Sequence, residues 1–193
     1  NSKLGMSPLL GPSFNDKEIE KNLKKFKLFY KRPKNIYKDI AMNISKGKII
    51  GLFNGKAEYG QRSLGSRSIL ADPTNKNSKY KLNMILKRRD WFMPFAPAIM
   101  DNHYKYWFDK SEKPSLYMQK AVKVKKNKIK FIPSATHVDG TCRVQYVCRK
   151  KFHNFWKIIK EFYKLKKIPM VLNTSFNRHG ISTISTPRQA IEH

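Results

Sequence analysis

Acidic residues are scarce. The 193-residue chain has 13 aspartates and glutamates against 41 lysines and arginines, a formal charge of +28. Paired carboxylates for general acid–base work are missing, and no hydroxyl or thiol nucleophile stands beside an evident base. Cysteine is nearly absent. Cys142 and Cys148 are too few for a disulfide framework and wrongly spaced for a zinc knuckle, so they read as ordinary intracellular thiols. No apolar run approaches the roughly 18 residues of a membrane span, and no signal peptide opens the chain. The expected setting is therefore cytoplasmic. The chain begins at Asn1 without a methionine and stops at His193 soon after a helix start, so it reads as a piece of something longer.

What is present is a core. With 40% hydrophobic and 12% aromatic residues, the chain can bury one substantial interior, which implies a single α/β or α+β domain with short extensions. The charge of +28 invites a nucleic-acid reading through phosphate neutralisation. Lysine, however, far outnumbers arginine and is spread along the chain among many asparagines and isoleucines. Compositional drift accounts for that pattern without a partner, and a basic RNA-binding surface is the weaker reading.

In chain order, residues 1–15 carry Gly5, Pro8, Gly11 and Pro12 and read as a linker or arm. Asn15 and Glu18 make a capping box for a helix whose Ile19, Leu23, Phe26 and Tyr30 share a face. A second helix is expected over Ile36, Tyr37, Ile40, Ala41 and Ile44, stopped at Gly47. Ile49–Phe53 then suits a buried strand. Tyr80–Asp90 puts Leu82, Ile85 and Leu86 on one helical face and ends in Lys87-Arg88-Arg89. Behind it, Trp91–Met100 is apolar, twice broken by proline, and expected as a buried extended segment. Three cations against that wall would be costly without an anion to meet them. Residues 101–114 read as an irregular connection, and Ala121–Val124 with Ile129–Ile132 as a β-hairpin. Arg143–Val147 is a strand aiming Arg143 and Gln145 to one side. The helix from Phe152 to Lys166 buries Phe152, Phe155, Trp156, Ile159, Phe162 and Tyr163. Ile168–Leu172 follows as a strand running into Asn173-Thr174-Ser175-Phe176-Asn177. Thr186-Pro187-Arg188-Gln189 is a capped helix start.

The chemistry gathers in a few of these stretches. Glu58–Pro73, EYGQRSLGSRSILADP, is a glycine-punctuated loop with Arg62 and Arg67 five residues apart, and arginine forks grip oxyanions in bidentate fashion. Lys87, Arg89 and Arg143 add cations; Thr174, Ser175, Asn177 and backbone amides add neutral donors. His137 and Asp139 are a weak metal motif and a better fit to a structural role. Such a set suits chemistry in which the protein positions phosphates and neutralises charge during transfer.

These blocks carry a family likeness. Gly55-x-x-Glu58-x-Gly60-x-Arg62-x-Leu64-Gly65-x-Arg67 through Asp72-Pro73, Lys87-x-Arg89 before Pro94-Phe95-Ala96-Pro97, Thr136–Gln145 and Leu172–Asn177 resemble, in order, the C-terminal domain of the NodU/CmcH-type O-carbamoyltransferases. The resemblance implies a YrdC-like twisted mixed sheet with flanking helices over residues 36–193, preceded by a linker or N-terminal arm with a helix over 1–35. It implies conversion of carbamoyl phosphate and ATP to carbamoyl adenylate, with Mg²⁺ accompanying the ATP. An N-terminal actin-like ATPase-type domain, absent from this chain, would pass the carbamoyl group to a hydroxyl-bearing acceptor. Arg62, Lys87 and Arg143 would be the catalytic cations. Arg62, Arg67, Lys87, Arg89, Thr136, Arg143, Thr174, Ser175 and Asn177 would contact substrate or nucleotide, and His137 and Asp139 would shape the loop carrying Arg143. No metal ligands are assigned. YrdC-like domains also include enzymes that make threonylcarbamoyl adenylate for tRNA modification, which is the alternative. The chain departs from the family at Gln61 and Ser63, usually proline and alanine, at Met93, usually arginine, and at Asp90, usually glutamate.

Overall fold

The computed structural model describes residues 7–109 and 114–193. The first six residues of the expected arm and positions 110–113 of the expected connection lie outside these ranges; the described part of that connection is not all irregular but holds the short helix α4 (Tyr104–Trp107). The centre is a five-stranded mixed sheet in the order β1-β2-β7-β3-β6. Its strands are β1 (Ile50–Phe53), β2 (Arg67–Ala71), β3 (Ala96–Met100), β6 (Gln145–Val147) and β7 (Met170–Ser175). All neighbours are antiparallel except β3 and β6. The register sets Ser68 opposite Ser175 and Ala96 opposite Asn173. The arginine loop, the proline-rich segment and the polar end of β7 are thereby brought side by side.

Two amphipathic helices cover the sheet. Helix α2 (Ile36–Ser45) buries Ile40, Ala41 and Ile44, and α5 (His153–Lys166) buries Phe155, Trp156, Ile158, Ile159 and Phe162. They pack on each other, α2 also against β1 and α5 against β3 and β7. Apolar side chains at the 3.6-residue repeat drive this docking, each fully buried one contributing about 1.5–3 kcal/mol. Gly65 marks the closest approach between loop and helix. Its φ of +109° lies in the left-handed region, and a methyl group there would run into the Phe155 ring.

Both predicted capping boxes form, at Asn15/Glu18 on α1 (Asp16–Lys25) and at Thr186/Gln189 on α6 (Pro187–Glu192). Other expectations are corrected. Helix α1 buries none of its residues, so its Ile19 and Leu23 face is only half covered. Strand β1 buries Leu52 alone because it lies at the sheet edge. Trp91 and Phe92 are exposed and the extended segment starts only at Ala96. Pro97 sits inside β3, one residue before pairing with β6 begins at Ala98. The expected hairpin does not form. Instead β4 (Val122–Lys123) pairs with β5 (Thr141–Cys142), and Ile129–Phe131 is a turn of 3₁₀-helix. Alternation in two adjacent runs indicated strands but not which partners they would find.

The Tyr80–Asp90 helix also differs. Helix α3 (Lys76–Lys81) widens into a π-helical turn over Leu82–Lys87. Widening rotates the side chains relative to an α-helix. Lys87 becomes buried while Ile85 is left 64% exposed. Arg88 then takes the left-handed conformation, φ 49°, and ends the turn.

Gly65→Ala is expected to lower unfolding stability by roughly 2–4 kcal/mol, from backbone strain plus overpacking against Phe155. Denaturant unfolding measures it, and a loss under 0.5 kcal/mol would contradict the close approach.

Candidate functional site

The loop after β1 is built around a carboxylate the sequence reading left without a role. Glu58 accepts hydrogen bonds from the backbone N–H groups of Leu64 (2.7 Å), Ser66 (2.7 Å) and Arg67 (3.0 Å). Three converging amides make an anion nest, and the chain fills it with its own side chain. These amides are therefore not open to a ligand, as had been expected of the loop. Arg67 is also corrected. It is fully buried, its guanidinium lies 3.6 Å from the Phe53 ring centroid, and it donates to the carbonyls of Asn54 and Gly55 (both 3.1 Å) and Pro12 (3.0 Å). Arg67 fastens the 8–12 segment to the loop. That segment also exchanges backbone hydrogen bonds with Ala57 and Tyr59.

Arg62, at the loop's exposed tip, faces a cavity of about 90 Å³ whose wall includes Gln61, Ser63, Arg89, Phe95, Arg143, Asn173, Thr174 and Ser175. No carboxylate appears among its described lining residues. Arg62 and Arg143 have no ion-pair partner among the described residues, and Arg143 Nε is buried without a hydrogen-bond partner. A second, larger chamber of about 650 Å³ shares Gln61, Arg62, Met118 and Arg143 with the first and adds Leu10, Tyr59 and Tyr117. The two arginines thus stand in the wall common to both.

Arg89 is aimed by Asn83, a residue the sequence reading also missed. Asn83 is fully buried; its Oδ1 accepts from Arg89 Nε (2.7 Å) and its carbonyl from Arg89 N–H (3.1 Å). Its Nδ2 donates to the carbonyls of Trp91 and Met93, both 2.9 Å. An asparagine on a half-apolar helix carries no sequence signal for this role, because its partners exist only after the chain turns back at Arg88. The Arg89 guanidinium also lies 4.7 Å from the Phe95 ring centroid.

Lys87 is 3% exposed and does not line the small cavity. Its ammonium donates to Asn177 Oδ1 (2.8 Å), the Asn177 carbonyl (2.8 Å), Ser175 Oγ (3.2 Å) and the Ser175 carbonyl. It thus ties the π-turn to the Ser-x-Asn strand end. The cations also feel one another in sequence. Burial and then Arg62 lower the pKa of Arg143, burial and then Arg143 lower that of Arg89, and burial and then Arg89 bring Lys87 down to about 7. A row of like charges arranged this way is chemically suited to an anion.

Thr136 does not join it: its hydroxyl donates to the Ile132 carbonyl (3.0 Å), and it is not in the cavity wall. Asn177 reaches the site only through Lys87 and Ser175 Oγ. His137 and Asp139 both hydrogen-bond Thr141, at 3.1 and 2.8 Å, two residues before Arg143, in the loop-shaping role expected of them. Of the departures, Gln61 and Ser63 lie in the cavity wall, and Ser63 Oγ donates to the Arg67 carbonyl at 2.5 Å. Met93 lies outside that wall. Burial pushes the Cys142 thiol up to about 12, so it is no nucleophile at neutral pH. Among the described residues no group of three or more His, Cys, Asp or Glu could hold a metal, and no helix is long and apolar enough to cross a membrane. Exposed lysines stand on α1, α2, α3, α5 and the 123–130 turn.

The basic cavity lies where the start of β2 meets the end of β7. Residues 41–193 match the family described as carbamoyltransferase C-terminus, and the chain belongs to it. An uncharacterized protein of Methanocaldococcus jannaschii is 40% identical over 95% of this chain and 31% of its own length. The nodulation protein NolO of Bradyrhizobium diazoefficiens is 34% identical over 90% of this chain and 32% of its own, and NolNO of Sinorhizobium fredii 36% identical over 77% and 22%. The chain thus spans about a third or less of these relatives. The crystal structure of T. kodakarensis HypF superposes with a TM-score of 0.56 over 86% of this chain and 20% of that one, at 16% identity, a likeness of fold.

Lys87 carries a pH signature. With a folded pKa near 7 against an unfolded value of 10.5, the unfolded chain binds the extra proton between those limits. Stability contributed at this site is lowest below pH 7 and rises up to about 10.5. Lys87→Met should remove that part of the slope, read as the difference between the two proteins' unfolding free energies across pH 6–10. Parallel curves would contradict the depressed pKa.

Proposed function

We propose that this chain is the adenylate-forming part of an O-carbamoyltransferase. The observation that carries the proposal is the row of Arg62, Arg143 and Arg89, none of them in an ion pair among the described residues, around a cavity with no carboxylate among its described lining, backed by Lys87. Cations held together this way are stabilised by a bound oxyanion, and family membership supplies the reason to make that anion an acyl phosphate. The small cavity takes carbamoyl phosphate. The larger chamber, with its tyrosines and Leu10, suits the base and ribose of ATP.

Water first cleaves carbamoyl phosphate to carbamate and phosphate. A carbamate oxygen then attacks the α-phosphorus of ATP, and pyrophosphate leaves with the electron pair of the broken P–O bond. Negative charge accumulates at the α-phosphate, at the boundary of the two chambers. Arg62 and Arg143 stand in that shared wall and would stabilise it, while Arg89, fixed by Asn83, would hold the leaving phosphate. Ser175 Oγ and Thr174 would donate to phosphate or carbamoyl oxygens. Lys87 acts from behind, locking Ser175 and Asn177, and an arriving anion would draw a proton onto it near neutral pH. Mg²⁺ would enter on the ATP phosphates, since the cavity wall offers hydroxyls and amides and no carboxylate. Transfer of the carbamoyl group to a hydroxyl-bearing acceptor belongs to a further, N-terminal domain.

The test is to incubate the purified chain with carbamoyl phosphate, ATP and Mg²⁺ and follow pyrophosphate and phosphate. Release of both is expected to depend on carbamoyl phosphate and to fall about 100-fold or more in Arg143→Ala, the usual effect of removing a donor aimed at developing charge. Release that ignores carbamoyl phosphate, or survives Arg143→Ala intact, defeats the proposal.

A further inference from the structure

One side chain in the cavity wall is of the wrong polarity for an anion. Asn173, on β7, is 1% exposed and lines the small cavity beside Arg143 and Arg89. Its Nδ2 donates to the Ser63 carbonyl and to Gln145 Oε1, both at 2.9 Å. Gln145 in turn donates from Nε2 to the Leu64 carbonyl at 2.9 Å. The two ends of this chain are backbone carbonyls, which can only accept, so neither amide can be turned over without setting oxygen against oxygen. Asn173 Oδ1 is therefore fixed as an acceptor, and it is buried with no hydrogen-bond partner.

A buried acceptor without a donor is uncommon in a folded protein and calls for an explanation. The phosphate part of an acyl phosphate cannot satisfy it, because ionised phosphate oxygens only accept. Phosphate oxygens would be held by the arginines and repelled by Asn173 Oδ1. The wall of the cavity therefore combines cations for an oxyanion with a residue whose buried oxygen lacks an N–H.

We propose that Asn173 is the residue that selects a carbamoyl group over other acyl groups, its Oδ1 accepting a hydrogen bond from the carbamoyl –NH₂. This rests on the reading of the cavity as a carbamoyl phosphate site. Among acyl phosphates, acetyl phosphate presents a methyl group at the same point and leaves the oxygen unsatisfied. A site built to hydrogen-bond a substrate group rejects the analogue that lacks it far more strongly than an apolar pocket rejects a change of size. The –NH₂ is also common to carbamoyl phosphate, carbamate and carbamoyl adenylate. A fixed acceptor can thus hold the reacting group in place while phosphate leaves from one side and the nucleotide is attacked on the other.

The discriminating measurement is the ratio of kcat/KM for carbamoyl phosphate to that for acetyl phosphate, read as pyrophosphate release from ATP. The wild-type ratio is expected to be at least about 100, and Asn173→Ala to lower it at least about tenfold, chiefly through loss with carbamoyl phosphate. In parallel, calorimetry on the wild-type chain compares phosphonoacetamide with acetonylphosphonate, stable analogues that differ in NH₂ against CH₃. At least about tenfold tighter binding of the amide is expected. This arm decides the matter if Asn173→Ala does not fold. Equal use of the two donors, equal binding of the two analogues, or an unchanged ratio in a folded Asn173→Ala overturns the selection by Asn173 and leaves the adenylate-forming reading standing. Pyrophosphate release with neither donor overturns both.

Discussion

Arg62, Arg143, Arg89 and Lys87 stand in a row in which each of the three arginines lowers the pKa of the next member, and no carboxylate appears among the described residues lining the cavity that the arginines face. Like charges do not collect in a partly buried space unless the surrounding structure holds them there. Here neutral groups do the holding. Asn83 fixes Arg89, the Ser175–Asn177 strand end encloses Lys87, and the Thr141 turn places Arg143. Neutral acceptors orient a cation without cancelling its charge, so the field stays available to a ligand.

The same logic explains where the scarce acids sit. Glu58 is kept out of the cavity by three backbone amides, and there it sets the shape of the loop that carries Arg62 at its tip. Arg67, the partner expected for Arg62, serves the loop from within, with its guanidinium on the Phe53 ring and backbone carbonyls. One arginine of the pair builds the loop and the other is presented by it. Two chambers share Arg62 and Arg143, one small and one larger and more apolar, and the proposed reading gives the first to the acyl phosphate and the second to the nucleotide.

Much of this was legible in the residues. The stripes of α2 and α5, both capping boxes and the apolar run before Asn173 each rest on local periodicity or local hydrogen bonding, and each forms, although Ile36 at the start of α2 is exposed and Tyr163 of α5 only half-buried. The motif blocks placed Arg62, Arg89, Arg143, Thr174 and Ser175 together, and they do line one cavity. The misses are of another kind. Val122–Lys123 pairs with Thr141–Cys142 instead of its neighbour, Thr136 bonds within its own turn, and Lys87 lies behind the cavity because a π-turn rotates it inward.

What the sequence alone determined is therefore the inventory: which helices are amphipathic, where they start, which cations and amides the motifs supply, and which family they belong to. These are matters of short-range chemistry, settled within a turn of helix or a few residues of strand. The tertiary structure decided the roles. Glu58, Asn83, Gln145 and Asn173 acquire their function from partners 6 to 110 residues away, such as Asn173 reaching Ser63, and such pairings exist only once the sheet order and register are set. Hydrogen bonds act over about 3 Å, and only folding brings distant parts of a chain that close.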